Sequence, residues 1–247
     1  MDNIISTNPK LLVLDIETKP ATAYIWRTFK ENIGYEQVLD PGGMICFAAK
    51  FVGEDETHFY SEWTHSRTEM VTAAHALLSE ADAVITYNGD KFDLPKLSGE
   101  FILNGLPPTP PIASIDVVKH IRKFGFLMNR LAFIGPLLKV GAKVKHEGFD
   151  LWAKVISGDE KARAKMQKYN IQDVILLEKL YKKIRPFIKN HPHLGKVRRE
   201  CGACGSNDVH SRGYRRTKVF RIQRLQCQKC GAWQDGVKSG VPTEDAE

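Results

Sequence analysis

Apolar and polar residues follow one another along most of the chain in blocks that predict strands and then helices. The apolar run within residues 10–16 (KLLVLDI) is typical of a short strand that is buried on both faces. Two further runs, at 44–53 and 56–63, are separated by turn-forming residues and predict a neighbouring hairpin. These segments predict the first three strands of a sheet.

Helical periods then alternate with two more short apolar runs. Ser66 and Glu69, and again Ser157 and Glu160, have the spacing of a capping box, which marks the start of a helix. The predicted elements are helices at 66–82, 93–105, 117–124, 129–140 and 157–186, with strands at 81–90 and 111–116.

The character of the chain changes after this long helix. Residues 187–200 contain proline and glycine without an apolar period, as in a linker, and two CxxC pairs follow. We therefore expect three parts: a domain at 1–190, a small module at 197–240, and a disordered polar tail at 241–247.

Length and composition predict a globular protein, because 247 residues with 43% hydrophobic content can bury a large core. The sequence has no apolar run of about 18 residues, the length that a membrane-spanning helix needs. Its first ten residues lack the order of a secretory signal. We expect a soluble, intracellular, cytoplasmic protein that does not bind membranes, with a bacterial or virus-infected cell as a plausible setting.

Positive charge is concentrated near the C-terminus. Residues 196–240 contain eleven basic and three acidic residues, a net charge of +8, whereas the whole chain carries +7. A surface of this kind predicts a polyanionic partner.

Two carboxylates end the first apolar run. Asp15 and Glu17 are two residues apart, so in a strand they would lie on the same face and repel each other unless a cation lay between them. In the alternative, the strand ends at Asp15, which caps a turn while both acids are solvated.

Three more candidate residues come later in the chain, one just after a predicted strand and two within the long predicted helix. Asp93 comes just after a predicted strand, where it could also be a helix N-cap. Tyr169 and Asp173 are one turn apart on the long helix, a spacing that is also common on solvated surfaces. Taken singly, these residues leave both interpretations open.

Together the segments DIE (15–17), NGDKFD (88–93) and YNIQD (169–173) form a pattern. They resemble, in order and context, the three exonuclease motifs of the DnaQ-like, ribonuclease H-like superfamily, and the tyrosine marks its DEDDy branch. The resemblance extends over most of 10–184 and is closest to the proofreading domain of family B DNA polymerases. It implies an α/β fold with a ribonuclease H-like mixed sheet flanked by helices.

The same resemblance implies a function and a set of ligands. Asp15, Glu17, Asp93 and Asp173 would hold two Mg²⁺ or Mn²⁺ ions, and Tyr169 would position the attacking water in a 3′–5′ exonuclease acting on DNA. A structure-selective endonuclease or an RNase on the same fold, and a catalytically idle nucleic-acid-binding adaptor, remain alternatives.

Residues beside these motifs are candidates for contact with a 3′ end. Asn88 and Phe92 could hydrogen-bond to or stack on terminal nucleotides, although an aromatic residue here could equally belong to the core. We expect Asp116 to be structural or a helix cap, and His146 and the histidines of 191–193 to be surface residues.

The four clustered cysteines predict a metal site. Cys201, Cys204, Cys227 and Cys230 form two CxxC pairs with 22 residues between them, which resembles a zinc ribbon holding one structural Zn²⁺. Glycines after Cys204 and Cys230 suit the tight turns of such a site. The fifth, Cys46, lies in an apolar run and is expected to be a small buried hydrophobe.

The segment between the two cysteine pairs predicts a hairpin in which basic and aromatic residues alternate. Such a surface suits phosphates and exposed bases, and a replication or repair protein is the alternative partner. The candidate residues for nucleic-acid binding are Tyr214, Arg215, Arg216, Lys218, Phe220, Arg221 and Arg224.

Overall fold

The computed structural model describes residues 9–195 and 197–240. The chain divides into two compact units, one at Leu11–Leu180 and a second to which residues 9–10 and 181–240 of the described chain belong. The boundary that the sequence suggested near residue 190 therefore falls inside the second unit. The predicted disordered tail at 241–247 lies outside the described residues.

The first unit is built on a mixed sheet of five strands in the order β5-β4-β1-β6-β7. Strand β1 pairs antiparallel with β4 and parallel with β6, so it lies at the centre of the sheet. A separate pair, β2 and β3, lies between β1 and β4 in sequence. The strands are β1 (Leu11–Lys19), β2 (Thr22–Ala23), β3 (Val38–Asp40), β4 (Gly43–Phe51), β5 (His58–Ser61), β6 (Ala83–Thr86) and β7 (Ala113–Asp116).

Six helices accompany these strands. They are α1 (Arg67–Glu80), α2 (Asp93–Leu103), α3 (Val117–Ile121), α4 (Leu131–Leu137), α5 (Phe149–Ile156) and α6 (Glu160–Ile184). Helix α5 was not predicted from the sequence. Among residues 9–195 and 197–240, the helices fall short of the length or apolar character that crossing a membrane requires.

Helices cover both faces of the five-stranded sheet. On one face, Leu12 and Leu14 of β1 belong to a buried cluster with residues of α1 and α2. On the other face, Ile45 and Cys46 of β4 contact α5 and α6. Burial on both faces explains why β1 and β4 are apolar almost throughout, and it confirms Cys46 as a small buried hydrophobe. The architecture is the mixed α/β fold that the sequence predicted.

One of the two predicted capping boxes forms. At the start of α1, Ser66 Oγ accepts a hydrogen bond from the Glu69 N–H, and the Ser66 N–H donates to Glu69 Oε2 over 2.8 Å. The second prediction was wrong, because α5 extends to residue 156 and Ser157 ends it, donating to the Lys154 carbonyl. Asp159 starts α6 instead: its Oδ1 accepts from the Ala162 N–H over 2.9 Å.

The segment between β1 and β4 exposes large apolar side chains. It is anchored at its base by an ion pair of 2.7 Å between Lys19 and Asp40. Beyond that base, Trp26 is 94% exposed, and Tyr24, Phe29 and Tyr35 are also exposed. These side chains take no part in the core of the first unit.

The second unit contains a three-stranded antiparallel sheet in the order β10-β9-β8. Strands β8 (Val209–Arg216) and β9 (Phe220–Cys227) form the hairpin predicted between the two cysteine pairs. Strand β10 (Trp233–Gly240) pairs with β9 and was not predicted.

Candidate active site and metal centres

The first two candidate carboxylates lie on the central strand. Strand β1 continues to Lys19, so Asp15 and Glu17 share one face, and the alternative that the strand ends at Asp15 is wrong. The parallel pairing with β6 stops at Val13, opposite Ile85. Beyond that point, one edge of β1 lacks a neighbouring strand and is open to side chains from other elements.

Asp93 occupies part of this open edge. It is the first residue of α2, with Phe92 at the N-cap position, and its side chain is directed at β1. Asp93 Oδ1 accepts a hydrogen bond of 3.0 Å from the backbone N–H of Ile16, the residue between the two acids. A buried N–H needs an acceptor, and Asp93 supplies one where the strand pairing has ended.

Helix α6 brings the fourth carboxylate to the same place. Carboxylate oxygens of Asp15, Glu17 and Asp173 all lie within 4.8 Å of one another. Tyr169, one turn earlier, is buried with Asp173 on the inner side of the helix. The predicted site residues of β1 and α6 are therefore brought together, and Asp93 adjoins them through Ile16.

Asn170 contacts Asp15, and the sequence did not indicate this residue as part of the site. It is fully buried on α6, and its Nδ2 donates to Asp15 Oδ2 over 2.7 Å and to the Asp15 carbonyl over 3.2 Å. The signal was present, since Asn170 follows the predicted Tyr169 directly in a helix that must bury one side. This contact fixes the orientation of the Asp15 carboxylate.

Lys143 was also missed. It precedes α5 in a segment without regular structure, and its Nζ lies 2.6 Å from Asp173 Oδ2 and 2.9 Å from the Tyr169 hydroxyl. No periodicity marks such a position, so the sequence offered no signal for it. Lys143 places one positive charge among the carboxylates.

His146 is exposed, as expected, but its ring also contacts the site. Its ring packs edge-on against those of Tyr169 and Trp152, with centroids 4.9 and 5.2 Å apart. The imidazole therefore helps to hold the Tyr169 ring in place, although its outer side is exposed. Of the other two histidines, His193 is exposed as expected, whereas His191 is partly buried and hydrogen-bonded to the Tyr181 hydroxyl.

The clustered acids hold their protons more tightly than usual. Burial, with repulsion from Asp173, raises the pKa of Glu17 to about 8. Burial also raises the pKa of Asp93 to about 6, against the hydrogen bond from Ile16. The pKa of Asp15 is raised well above its usual range by burial and by repulsion from Glu17, Asp93 and Asp173.

This donor set fits divalent cations. Several carboxylate oxygens converge, and Asp173 Oδ1 is buried without a hydrogen-bond partner among the described residues. Hard ions such as Mg²⁺ and Mn²⁺ prefer oxygen ligands of this kind. A bound cation would attract the ionised carboxylates. It would thereby offset both their mutual repulsion and the cost of burying their charge, the two effects that raise these pKa values.

A cleft of about 460 Å³ opens beside the carboxylates. Asp15, Asp173 and Asn88 line it. Arg122 and Arg130, which the sequence did not indicate as site residues, line it as well. Asn88 stands at a turn with a φ of 72°. Phe92, also a predicted contact residue, is 39% exposed at the N-cap of α2 and does not line this cleft.

Asp116 positions the Asn88 turn. Its Oδ1 accepts a hydrogen bond of 2.8 Å from the Asn88 N–H, and it makes no side-chain hydrogen bond that caps α3. Of the two expectations for Asp116, the structural role holds and the helix cap does not.

Comparisons with known proteins agree with this fold. A family model of the RNase H superfamily (RNase_H_2) matches residues 36–185, more than half of the chain. The chain belongs to the RNase H superfamily.

The superfamily match includes Asp93, Tyr169 and Asp173 but begins after β1, so it does not cover Asp15 and Glu17. The structure is also similar to that of the family B DNA polymerase from the hyperthermophilic archaeon Pyrobaculum calidifontis, with a TM-score of 0.55 and 17% sequence identity. The match covers 72% of this chain and 25% of the polymerase, so it spans a quarter of that protein and shows a shared fold. No curated protein sequence matches this chain.

This RNase H superfamily member carries a second candidate metal centre in its C-terminal unit. The Sγ atoms of Cys201 and Cys230 are 3.6 Å apart, and those of Cys204 and Cys227 are 3.7 Å apart. Four thiolates at about 2.3 Å from a tetrahedral Zn²⁺ would be separated by about 3.8 Å. The four cysteines thus fit one zinc ion.

The turns around the cysteines have the predicted glycine chemistry. Gly205 and Gly231 directly follow the second cysteine of each pair and have φ values of 69° and 78°. Other residues rarely adopt this conformation. Their N–H groups donate to the carbonyls of Cys201 and Cys227, over 2.8 and 3.0 Å, which closes each turn.

The predicted nucleic-acid-binding residues of this superfamily member do not share one surface. Residues paired across neighbouring strands lie on the same face of a sheet, and successive residues lie on opposite faces. The pairing of Arg216 with Arg221 and of Arg215 with Ile222 therefore places Arg216 and Arg215 on different faces. Arg215 is moreover engaged by Asp235 through two hydrogen bonds, of 3.0 and 2.6 Å.

Proposed function

We propose that this protein is a metal-dependent 3′–5′ exonuclease that hydrolyses phosphodiester bonds of DNA, on single strands or at 3′ ends. The observation that supports it most strongly is the convergence of Asp15 and Glu17 from β1 with Asp173 from α6. A protein that only bound phosphates would gain nothing from such clustered negative charge. Membership of the RNase H superfamily and the fold shared with a DNA polymerase point in the same direction.

In this proposal Asp15, Glu17, Asp93 and Asp173 hold two Mg²⁺ or Mn²⁺ ions. Bound there, the ions supply Lewis acidity to the attacking water and the leaving 3′ oxygen. Asn170 holds Asp15 by its second carboxylate oxygen, and the Ile16 N–H holds one oxygen of Asp93. Two of the four ligands are therefore oriented before any ion binds.

Tyr169 orients the attacking water through its hydroxyl. Burial and the neighbouring Asp173 raise the pKa of Tyr169, so the phenol stays protonated at neutral pH. Lys143 donates to the phenolic oxygen, and the Tyr169 hydroxyl also hydrogen-bonds to Asp173, so contacts on both sides fix the position of the phenol. Lys143 is thus a positioning residue for Tyr169, and His146 supports the ring from the side.

The cleft beside the carboxylates holds the 3′-terminal nucleotides. Asn88 offers an amide for hydrogen bonding to a base or sugar, while Arg122 and Arg130 supply positive charge for phosphates. Phe92, exposed at the N-cap of α2 outside this cleft, provides a ring for stacking on a nucleotide beyond it. The C-terminal unit, folded around one structural Zn²⁺, adds affinity for the strand through its basic sheet.

One assay tests the activity. Single-stranded DNA, duplex DNA and RNA, each labelled at the 5′ end, are incubated with Mg²⁺ or Mn²⁺, and Asp15→Asn serves as the control of nearly equal shape. We expect a ladder of products that shortens from the 3′ end and that Asp15→Asn abolishes.

The other outcomes identify the alternatives. Discrete internal cuts would replace the exonuclease with a structure-selective endonuclease, and products from RNA alone would make the protein an RNase. Absence of any metal-dependent product on all three substrates would leave a nucleic-acid-binding adaptor.

A further inference from the structure

The two faces of the C-terminal sheet differ in what their aromatic rings can do. We call the face that carries Arg215, Phe220, Arg224, Trp233 and Lys238 the groove face. The opposite face carries Tyr214, Arg216 and Arg221. Strand pairing assigns these positions, and the side-chain contacts described next agree with it.

Cations already cover two of the three rings. The Arg221 guanidinium lies 3.8 Å from the centre of the Tyr214 ring, and Lys238 Nζ lies 3.7 Å from that of Phe220. A base could stack on these sides only after displacing the cation. Tyr214 and Phe220, both candidates from the sequence, are therefore poorly prepared for stacking.

Trp233 has a more open ring. Its side chain is 53% exposed, and the Arg224 guanidinium stands 5.9 Å from the ring centre, well beyond the distances at Tyr214 and Phe220. Its position is held by the backbone, since β10 pairs Trp233 with Gln226 of β9. A large, half-exposed ring fixed in a sheet is a prepared surface for a flat ligand.

Trp233 also lines a groove of about 650 Å³ in the same unit. The segment 188–193 also lines this groove, through Lys189, His191 and His193. A groove of this size matches the volumes of typical ligand sites. The groove that Trp233 lines is thus large enough for a base together with its sugar.

The charge of the groove favours an anion. Lys189, Arg215 and Arg224 line it with three positive charges, and Asp235 contributes one negative charge that is paired with Arg215. Arg224 donates one N–H to the Arg212 carbonyl and keeps further N–H groups for a ligand. Arg224 and Lys189 are the two cations suited to phosphate.

We infer that this groove binds one unstacked nucleotide of a single strand, with the base on Trp233 and the flanking phosphates on Arg224 and Lys189. The inference rests on the proposed function and specifies how the C-terminal unit holds the substrate. It assigns the binding face to Trp233, which the sequence pattern had not indicated, in place of Tyr214. A single strand is required, because bases inside a duplex are stacked on one another and do not offer a free face.

Binding is measured with the full chain carrying Asp15→Asn, by fluorescence anisotropy of a labelled single-stranded oligonucleotide. Since stacking on one aromatic side chain is worth about 1–3 kcal/mol, Trp233→Ala should weaken binding by about 5- to 150-fold. Trp233→Phe should recover most of the loss. Tyr214→Ala, on the opposite face, should weaken binding less than Trp233→Ala, and binding of duplex DNA should change little in either variant.

Salt dependence supplies a second measurement. Arg224→Gln should reduce the slope of log K against log salt by about 0.7, the value for one phosphate contact with a single strand. Arg216→Gln, on the opposite face, should change that slope less. Bound zinc, measured for every variant, verifies that the unit is folded.

Three results would overturn the inference. The first is unchanged affinity for the single strand in folded Trp233→Ala, and the second is a loss of affinity in Tyr214→Ala that equals or exceeds that in Trp233→Ala. The third is an equal loss of affinity for duplex and single-stranded DNA in Trp233→Ala, which would indicate a surface that contacts phosphates alone. Because hydrolysis is not the readout, these results differ from failure of the proposed function. That failure would appear as a lack of nucleotide release by the unmodified protein.

Discussion

Asp93 accepts a hydrogen bond from the backbone N–H of Ile16, 77 residues earlier in the chain. This bond joins the start of α2 to the strand that carries Asp15 and Glu17, at the point where β1 has lost its parallel neighbour. The side chain therefore has two separable properties, an acceptor oxygen that β1 needs and a negative charge that a metal ion needs.

Two substitutions separate these properties. Asp93→Asn keeps an acceptor oxygen, so metal-free stability should stay close to that of the unmodified protein while hydrolysis is lost. Asp93→Leu leaves the Ile16 N–H unsatisfied and should cost about 1–3 kcal/mol of unfolding free energy. Urea unfolding and nucleotide-release assays measure both quantities. Equal destabilisation by the two variants would mean that the hydrogen bond contributes nothing specific.

Lys143 should act through Tyr169. Lys143→Gln releases the phenol from its position and should lower kcat by about 10- to 100-fold with little change in KM. In a Tyr169→Phe background the same substitution should have a much smaller effect, because there is no hydroxyl left to position. Lys145→Gln, two residues along and exposed, is the matched control. Additive losses in the double variant would show that Lys143 acts independently of Tyr169.

Metal-free stability should fall as pH rises. The pKa values of Glu17 and Asp93 are raised to about 8 and about 6, so folding favours their protonated forms. That contribution is fully present below their ordinary pKa values near 4 and is lost as the pH passes through 6 to 8. Hydrogen exchange of peptides from residues 11–180, measured from pH 5 to pH 8, reports this stability once the rates are corrected for the intrinsic exchange rate at each pH. Protection from exchange should decrease as the pH rises.

Two comparisons make this pH dependence specific. Saturating Mn²⁺ should remove most of it, since the ion takes over the role of the protons. In Glu17→Gln the side chain at position 17 cannot ionise, so the stability of this variant should change less between pH 6 and pH 8. An identical profile in Glu17→Gln and the unmodified protein would assign the effect to other groups.

Loss of zinc should affect the two units differently. Cys227→Ser should abolish zinc binding and unfold the module at 197–240, because about 45 residues cannot build a sufficient core without the metal. Affinity for long single strands should fall at least about ten-fold at physiological salt, while hydrolysis of dinucleotides persists. Cys46→Ala, a cysteine outside the cluster, is the control and should keep its zinc. Parallel loss of dinucleotide hydrolysis would contradict this division of roles.

Asp159 should stabilise α6 at its first turn. Its Oδ1 accepts from the Ala162 N–H, so Asp159→Ala should cost about 0.5–2 kcal/mol of unfolding free energy. Ser157→Ala should cost less, because Ser157 lies outside α6 and its hydroxyl donates to the Lys154 carbonyl at the end of α5. Urea titrations of the two variants give the comparison, and a larger effect at Ser157 would restore the capping box suggested by the sequence.

The outer segments of the fold were hardest to predict. Helix α5, strands β2, β3 and β10, and the N-cap of α6 lie where the apolar period is short or interrupted. Ser157 and Glu160 have suitable spacing, yet α5 ends at the residue before Ser157 and leaves Asp159 to start the next helix. A local pattern does not determine whether a residue such as Ser157 ends the preceding helix or begins the next one.

The sequence by itself determined the central strands, the long helix, the order of the acidic motifs and the cysteine spacing, because burial and metal ligation impose short, regular patterns on a chain. Only the tertiary structure decided that Asn170 orients Asp15, that Lys143 reaches Tyr169 and Asp173, and that Trp233 faces a groove while Arg221 covers Tyr214. Those relationships join residues far apart in sequence or on opposite faces of a sheet, and they depend on packing and strand register, which no single segment encodes.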